Sequence, residues 1–167
     1  CPLRALRSGL RDRHPRGVSR VKPAQGRFYV DADILGLGRI LAGLRPDVTF
    51  PGDPGTVLFK KQRPPCVVTT PATPDTEWIP RVTAEGMLII TRDRQIQHHL
   101  AELQAVKEHG ARMVALSGKD ARGTFDQLEI VMCRWRDIEA CLEQPGPFIY
   151  TATRTVFRRI DLHASDR

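Results

Sequence analysis

The chain has no apolar run approaching the ~20 residues that span a bilayer, and no basic stretch leading into the apolar core of a signal peptide. Both absences argue against a membrane-spanning or exported protein, and a soluble, cytoplasmic one is expected. Cysteine is scarce in useful arrangements. Cys1, Cys66, Cys133 and Cys141 contain no Cys-x-x-Cys pair and no histidine at zinc-ligand spacing, which removes the zinc-ribbon and thioredoxin-like classes. Cys133 and Cys141 fall along one expected helix and cannot easily bridge each other, so free thiols in a reducing compartment are expected. Acid is missing from the start of the chain. Residues 1–27 carry Arg4, Arg7, Arg11, Arg13, Arg16, Arg20, Lys22 and Arg27 against Asp12 alone, and this segment supplies the whole formal charge of +7. An initial Met is missing too, so a fragment, a processed product or a wrongly chosen start is expected.

Residues 1–26 have few large apolar side chains and are broken by Pro2, Pro15, Gly17 and Pro23, which predicts a tail with little stable structure. A single domain over 27–162 and a short C-terminal tail at 163–167 are expected, since a chain of 167 residues ordinarily makes one domain. The basic excess would draw a polyanion by counterion release.

The most informative stretch is Gly86-Met87-Leu88-Ile89-Ile90-Thr91-Arg92-Asp93. Four apolar residues in succession fit a parallel strand covered on both faces, which would deliver Asp93 to the sheet edge. Arg27-Phe28-Tyr29-Val30-Asp31 has the same form, again closed by an acid. Open α/β sheets place functional groups beyond the carboxyl ends of their strands, so the two acids suggest one shared site. Ile34, Leu37, Leu41 and Leu44 recur at helical spacing, and Pro46 ends that helix. Gly36-Leu37-Gly38 does not complete a dinucleotide loop, because Leu41 occupies the third glycine position. Close helix packing explains these glycines better.

Asp47–Phe50 predicts a short strand, and the Pro- and Gly-rich residues 51–74 predict a long loop bearing Lys60, Lys61 and Arg63. A helix is expected from Asp75, either as its N-cap or beside it, with Pro80 tolerated in the first turn. Ile96, Leu100, Leu103 and Val106 mark a further helix closed near Gly110, and Arg112–Leu116 a buried strand. Thr124-Phe125-Asp126-Gln127 has the form of a capping box, followed by a stripe of Leu128, Val131, Trp135, Ile138 and Leu142. Phe148–Tyr150 and Val156–Ile160 are late strands, the last with edge-like alternation. Adjacent His98 and His99 face different directions on a helix and are not zinc ligands.

This order resembles the PIN-like domain family, specifically its branch of VapC-type toxins. The resemblance rests on Tyr29-Val30-Asp31-Ala32-Asp33-Ile34-Leu35, Asp75-Thr76-Glu77-Trp78-Ile79 and Ile89-Ile90-Thr91-Arg92-Asp93. It implies an α/β fold, a PIN-like three-layer α/β/α sandwich with a mainly parallel central sheet. It also implies carboxylates that hold Mg²⁺ or Mn²⁺ and hydrolyse RNA phosphodiester bonds. Carried over, Asp31, Asp75 and Asp93 are the catalytic and metal-holding acids, with Glu77 an alternative to Asp75. Asp33 has either a ligand or a capping role. No acid follows Asp93 directly, so Asp126 is the candidate fourth ligand, or else a residue serving the helix dipole. Arg92, Arg94, Lys119, Lys60 and Lys61 are candidate RNA contacts, or solvated surface charges. The implied partners are RNA, an antitoxin protein and a second copy of the chain. The competing readings are a noncatalytic PIN-like RNA-binding or protein-interaction module and a receiver-like phosphoacceptor, which lacks a lysine in the expected context.

Overall fold

The computed structural model of the protein describes residues 20–92, 100–117 and 119–163. Asp93, Arg94, Ile96, His98 and His99, most of the N-terminal basic segment and the last four residues lie outside the described residues. The strands are β1 (Lys22–Pro23), β2 (Phe28–Val30), β3 (Val48–Thr49), β4 (Thr56–Leu58), β5 (Lys61–Arg63), β6 (Leu88–Thr91), β7 (Arg112–Leu116), β8 (Phe148–Ala152) and β9 (Phe157–Arg159). The helices are α1 (Leu35–Leu44), α2 (Asp75–Ala84), α3 (Leu100–His109) and α4 (Thr124–Ala140).

Six strands form the central sheet in the order β3-β2-β6-β7-β8-β9. All neighbours are parallel except β9, which returns antiparallel to β8 at the edge. Period-two alternation divides each strand between two cores. Phe28, Val30, Leu88, Ile90, Val114 and Leu116 face α1 and α4, meeting Leu37, Leu41, Ile130, Val131 and Ile138. Tyr29, Ile89 and Met113 face α2 and α3, meeting Ile79, Val82 and Val106. Each large side chain buried in this way contributes about 1.5–3 kcal/mol. The result is the expected three-layer α/β/α sandwich with a mainly parallel sheet.

Gly36 and Gly38 of α1 serve packing. A Cβ on Gly36 would stand 2.6 Å from Thr124 Oγ1, and one on Gly38 3.0 Å from the Phe50 Cβ. The buried stripe of α4 is rotated from the expected one. Gln127, Ile130, Val131 and Ile138 are buried, whereas Leu128, Trp135 and Leu142 are half-buried at its margin. The Trp135 ring is covered by Phe28, with centroids 4.8 Å apart, and by the Arg45 guanidinium at 4.6 Å.

Several local expectations change. Residues 51–74 hold the β4–β5 hairpin, and β1 pairs parallel to β5, so residues 22–23 from the expected tail join a small sheet of order β1-β5-β4. This region is organised by an ion pair away from water. Arg63 Nε donates to Asp53 at 2.7 Å, and Arg63 Nη1 donates to the Ala42 carbonyl at 3.0 Å. Asp53 also accepts from Thr49 Oγ1 and the Gly55 amide. Pro74, not Asp75, is the N-cap of α2, and Pro80 lies inside the helix beyond its first turn. The missing N–H and the proline ring forfeit one backbone bond there. Gly123, not Thr124, caps α4, and only the return half of a capping box forms, with Asp126 accepting from the Gly123 amide. No helix among the described residues is long and apolar enough to cross a membrane.

Candidate metal centre at the sheet switch point

From β2 the chain crosses over through α1 to β3 on one side, and later enters β6 on the other side of β2. The crevice between two such divergent connections is where open α/β sheets hold their ligands, at the carboxyl ends of the strands. Asp31 follows β2 at that point. The parallel register sets Val30 against Ile90, and the Asp31 amide continues the ladder by donating to the Ile90 carbonyl at 2.9 Å.

The Asp31 carboxylate is held from two directions. Thr91 Oγ1, at the end of β6, donates to its Oδ2 at 2.9 Å, and the Ala32 amide donates to its Oδ1 at the start of the 3₁₀ turn leading into α1. Burial pushes the Asp31 carboxyl above its ordinary range, and the charge of Asp75 adds to this, while hydrogen bonds from Thr91, Ala32 and Asp33 oppose it. Asp75, from the first turn of α2, therefore shares the field of Asp31 although 44 positions separate them in sequence. Its Oδ1 accepts from Trp78 Nε1 at 2.7 Å, one turn along the helix.

Behind both acids lies Tyr29. Its ring packs on Trp78 with centroids 5.0 Å apart, and its hydroxyl is buried with no hydrogen-bond partner among the described residues. Burial raises the phenol's pKa, with Asp31, Cys66 and Asp75 acting in the same direction. A buried hydroxyl without a partner costs about 1–3 kcal/mol in desolvation. Tyr29→Phe is therefore expected to keep or raise the melting temperature. A loss of more than about 1 kcal/mol in thermal denaturation would show that the hydroxyl is bonded in the folded protein.

The other candidates divide by position. Asp33 is exposed and acts on the Asp31 carboxyl from two residues away. Arg92 and Lys119 follow β6 and β7 and so stand at the same sheet edge as Asp31. The Arg92 Nε is buried and has no partner among the described residues. Asp126 stands at the first turn of α4, tied to the Gly123 amide and to Arg154 at 3.5 Å. Glu77 is exposed and pairs with Arg81 at 3.7 Å. Lys60 and Lys61 sit at the hairpin and not beside the acids. Lys61 lines a cavity with Arg27, Arg45 and Asp47, which precede β2 and β3 at the opposite sheet edge. Among the described residues no three His, Cys, Asp or Glu side chains are close enough to hold one metal ion. Asp93 and Arg94 lie outside those residues.

Sequence reasoning missed Tyr29, Thr91 and Trp78. The signal for Trp78 was its three-residue spacing from Asp75 on a helix. Thr91 was visible as a hydroxyl ending an apolar strand. Nothing local marked Tyr29, which reads as an ordinary core residue.

The fold is an α/β/α sandwich with Asp31 at the switch point of its mainly parallel sheet. Within it, residues 55–118 match a family model described as a PIN like domain, covering α2, β6 and β7 but not Asp31. The matched segment is similar to PIN-like domains, in agreement with the fold. No curated protein and no solved structure matches the chain.

Proposed function

We propose that this protein is a metal-dependent endoribonuclease that hydrolyses RNA phosphodiester bonds, with Asp31, Asp75 and Asp93 as its metal-holding acids. The observation that supports this reading is Asp31 at the switch point, held by Thr91 at the end of the neighbouring strand, with the charge of Asp75 acting on it. The donor set suits a hard divalent cation such as Mg²⁺ or Mn²⁺, which takes carboxylate and water oxygens. The unpartnered Tyr29 hydroxyl behind the acids fits a site that gains a further polar occupant. The cation supplies Lewis-acid polarisation of the phosphoryl oxygen and lowers the pKa of the attacking water.

The chain's own residues would position and bind. Thr91 and the Ala32 amide fix Asp31 in one orientation, and Trp78 does the same for Asp75. Arg92 and Lys119 would meet RNA phosphates at this edge, with Arg94 a further candidate. Asp126, committed to Gly123 and Arg154, and Glu77, committed to Arg81, are weaker members of the set. The finer reading is a toxin of a toxin-antitoxin pair, acting on cytoplasmic RNA and held by an antitoxin protein. It rests on the likeness of the acidic segments to that branch. It predicts growth arrest on expression, relieved by Asp31→Asn.

The alternative is a noncatalytic PIN-like RNA-binding or protein-interaction module. The deciding experiment incubates purified protein with RNA and Mg²⁺ or Mn²⁺, using EDTA and Asp31→Asn as controls. Cleavage lost in both controls supports the nuclease; its absence in the wild type supports the module.

A further inference from the structure

The β4–β5 hairpin carries side chains that neither the core nor the acidic site uses. Its two-residue turn, Phe59–Lys60, has φ of +49° and +60°. A tight hairpin turn needs positive φ at both central positions, and Asn-Gly is the favoured pair because other side chains crowd the backbone there. Here the positions are held by an aromatic residue and a lysine. Strained positions of this kind point toward use. Phe59 is 73% exposed and belongs to neither core cluster.

The surrounding charge is of one sign. Lys60 and Lys61 are exposed, and the pairing of β1 with β5 brings exposed Lys22 beside Lys61. No acid occurs from Pro54 to Pro74 or from Arg13 to Val30. Asp53 and Asp47 beside this sheet are already engaged, Asp53 with Arg63 and Asp47 with Arg27 and Arg45. An exposed aromatic ring next to exposed lysines suits a partner that offers both a π-face and phosphates. Unpaired nucleotides offer both, whereas a duplex hides its base faces.

We propose that this hairpin tip is a contact for single-stranded RNA, with an unpaired base stacked on Phe59 and phosphates met by Lys22, Lys60 and Lys61. The choice of RNA over DNA rests on the ribonuclease reading. Because Lys61 lies toward the sheet edge opposite Asp31, the hairpin grips the strand away from the reacting phosphate.

The test is fluorescence anisotropy of a labelled single-stranded RNA in EDTA, where metal-dependent cleavage is silent. The variant Phe59→Asn/Lys60→Gly installs the favoured turn pair while removing ring and charge. It is expected to raise the melting temperature yet weaken RNA binding on the order of tenfold. Phe59→Tyr, which keeps a stacking face, should bind like the wild type. Unchanged affinity in the Asn-Gly variant would overturn the proposal, as would equal Phe59 dependence for a paired duplex. Absence of RNA binding by the wild type would also overturn it, leaving the ring to a protein partner. Asp31→Asn separates the two readings. If it keeps hairpin-dependent binding but still cleaves, the acidic site fails and the hairpin stands.

Discussion

Asp53→Ala should cost about 3–5 kcal/mol of folding stability, the range for leaving one member of a buried ion pair without its partner. The side chains of Arg63 and Asp53 are 4% and 2% exposed, so water cannot replace the lost carboxylate. The substitution would strand three donors at once, the Arg63 guanidinium, Thr49 Oγ1 and the Gly55 amide. Only the Ala42 and Arg45 carbonyls would remain to Arg63, and neither carries a compensating charge. The double variant Asp53→Leu/Arg63→Met should lose much less, because an apolar pair of similar volume leaves no buried charge. Urea unfolding of the wild type and both variants checks this. A single variant as stable as the double would mean that the guanidinium finds solvent.

Asp31→Asn should abolish metal-dependent RNA cleavage and weaken Mn²⁺ binding while keeping or raising the melting temperature of the metal-free protein. Stability and activity move apart because the carboxylate is costly in the fold and needed for the site. Burial raises the Asp31 carboxyl above its ordinary value, so the folded protein holds that proton more tightly than the unfolded chain does. Stability therefore falls as pH rises from the ordinary carboxylate value, about 3.9, through the raised one, and the full penalty stands at neutral pH. Asparagine is uncharged throughout. Its advantage should be complete at pH 7 and should vanish once the pH drops below the ordinary value. The amide oxygen can still accept from Thr91 or the Ala32 amide, so little hydrogen bonding is lost. Melting curves at the two pH values, Mn²⁺ titration and an RNA cleavage assay supply the three readouts. A variant that binds Mn²⁺ and cuts RNA as the wild type does would exclude the proposed site.

Much of the architecture was legible in short-range pattern. Leu88-Ile89-Ile90 has no polar member, and a strand with both faces covered needs none. The spacing of Leu37 and Leu41, closed by Pro46, marked α1, and Gly36 and Gly38 on either side of Leu37 read correctly as packing positions. The β4–β5 hairpin was hidden because its turn is Phe59-Lys60 and its strands include Lys61 and Gln62, without the glycine or asparagine that signals a turn. The capping of α4 slipped by one residue because Thr124 and Gly123 both suit an N-cap, and only the backbone conformation distinguishes them.

By itself the sequence determined that Asp31 closes an apolar strand and that Asp75 begins a helix, since each depends on neighbours a few positions away. Only the tertiary structure decided that β2 and β6 lie side by side, that Thr91 holds Asp31 and that Asp75 enters the same field above Tyr29. It also moved Lys60 and Lys61 away from those acids. The physical reason is that strand order and helix placement follow from burying two whole faces of one sheet together. That is a collective balance over residues distant in the chain, and no local spacing records it.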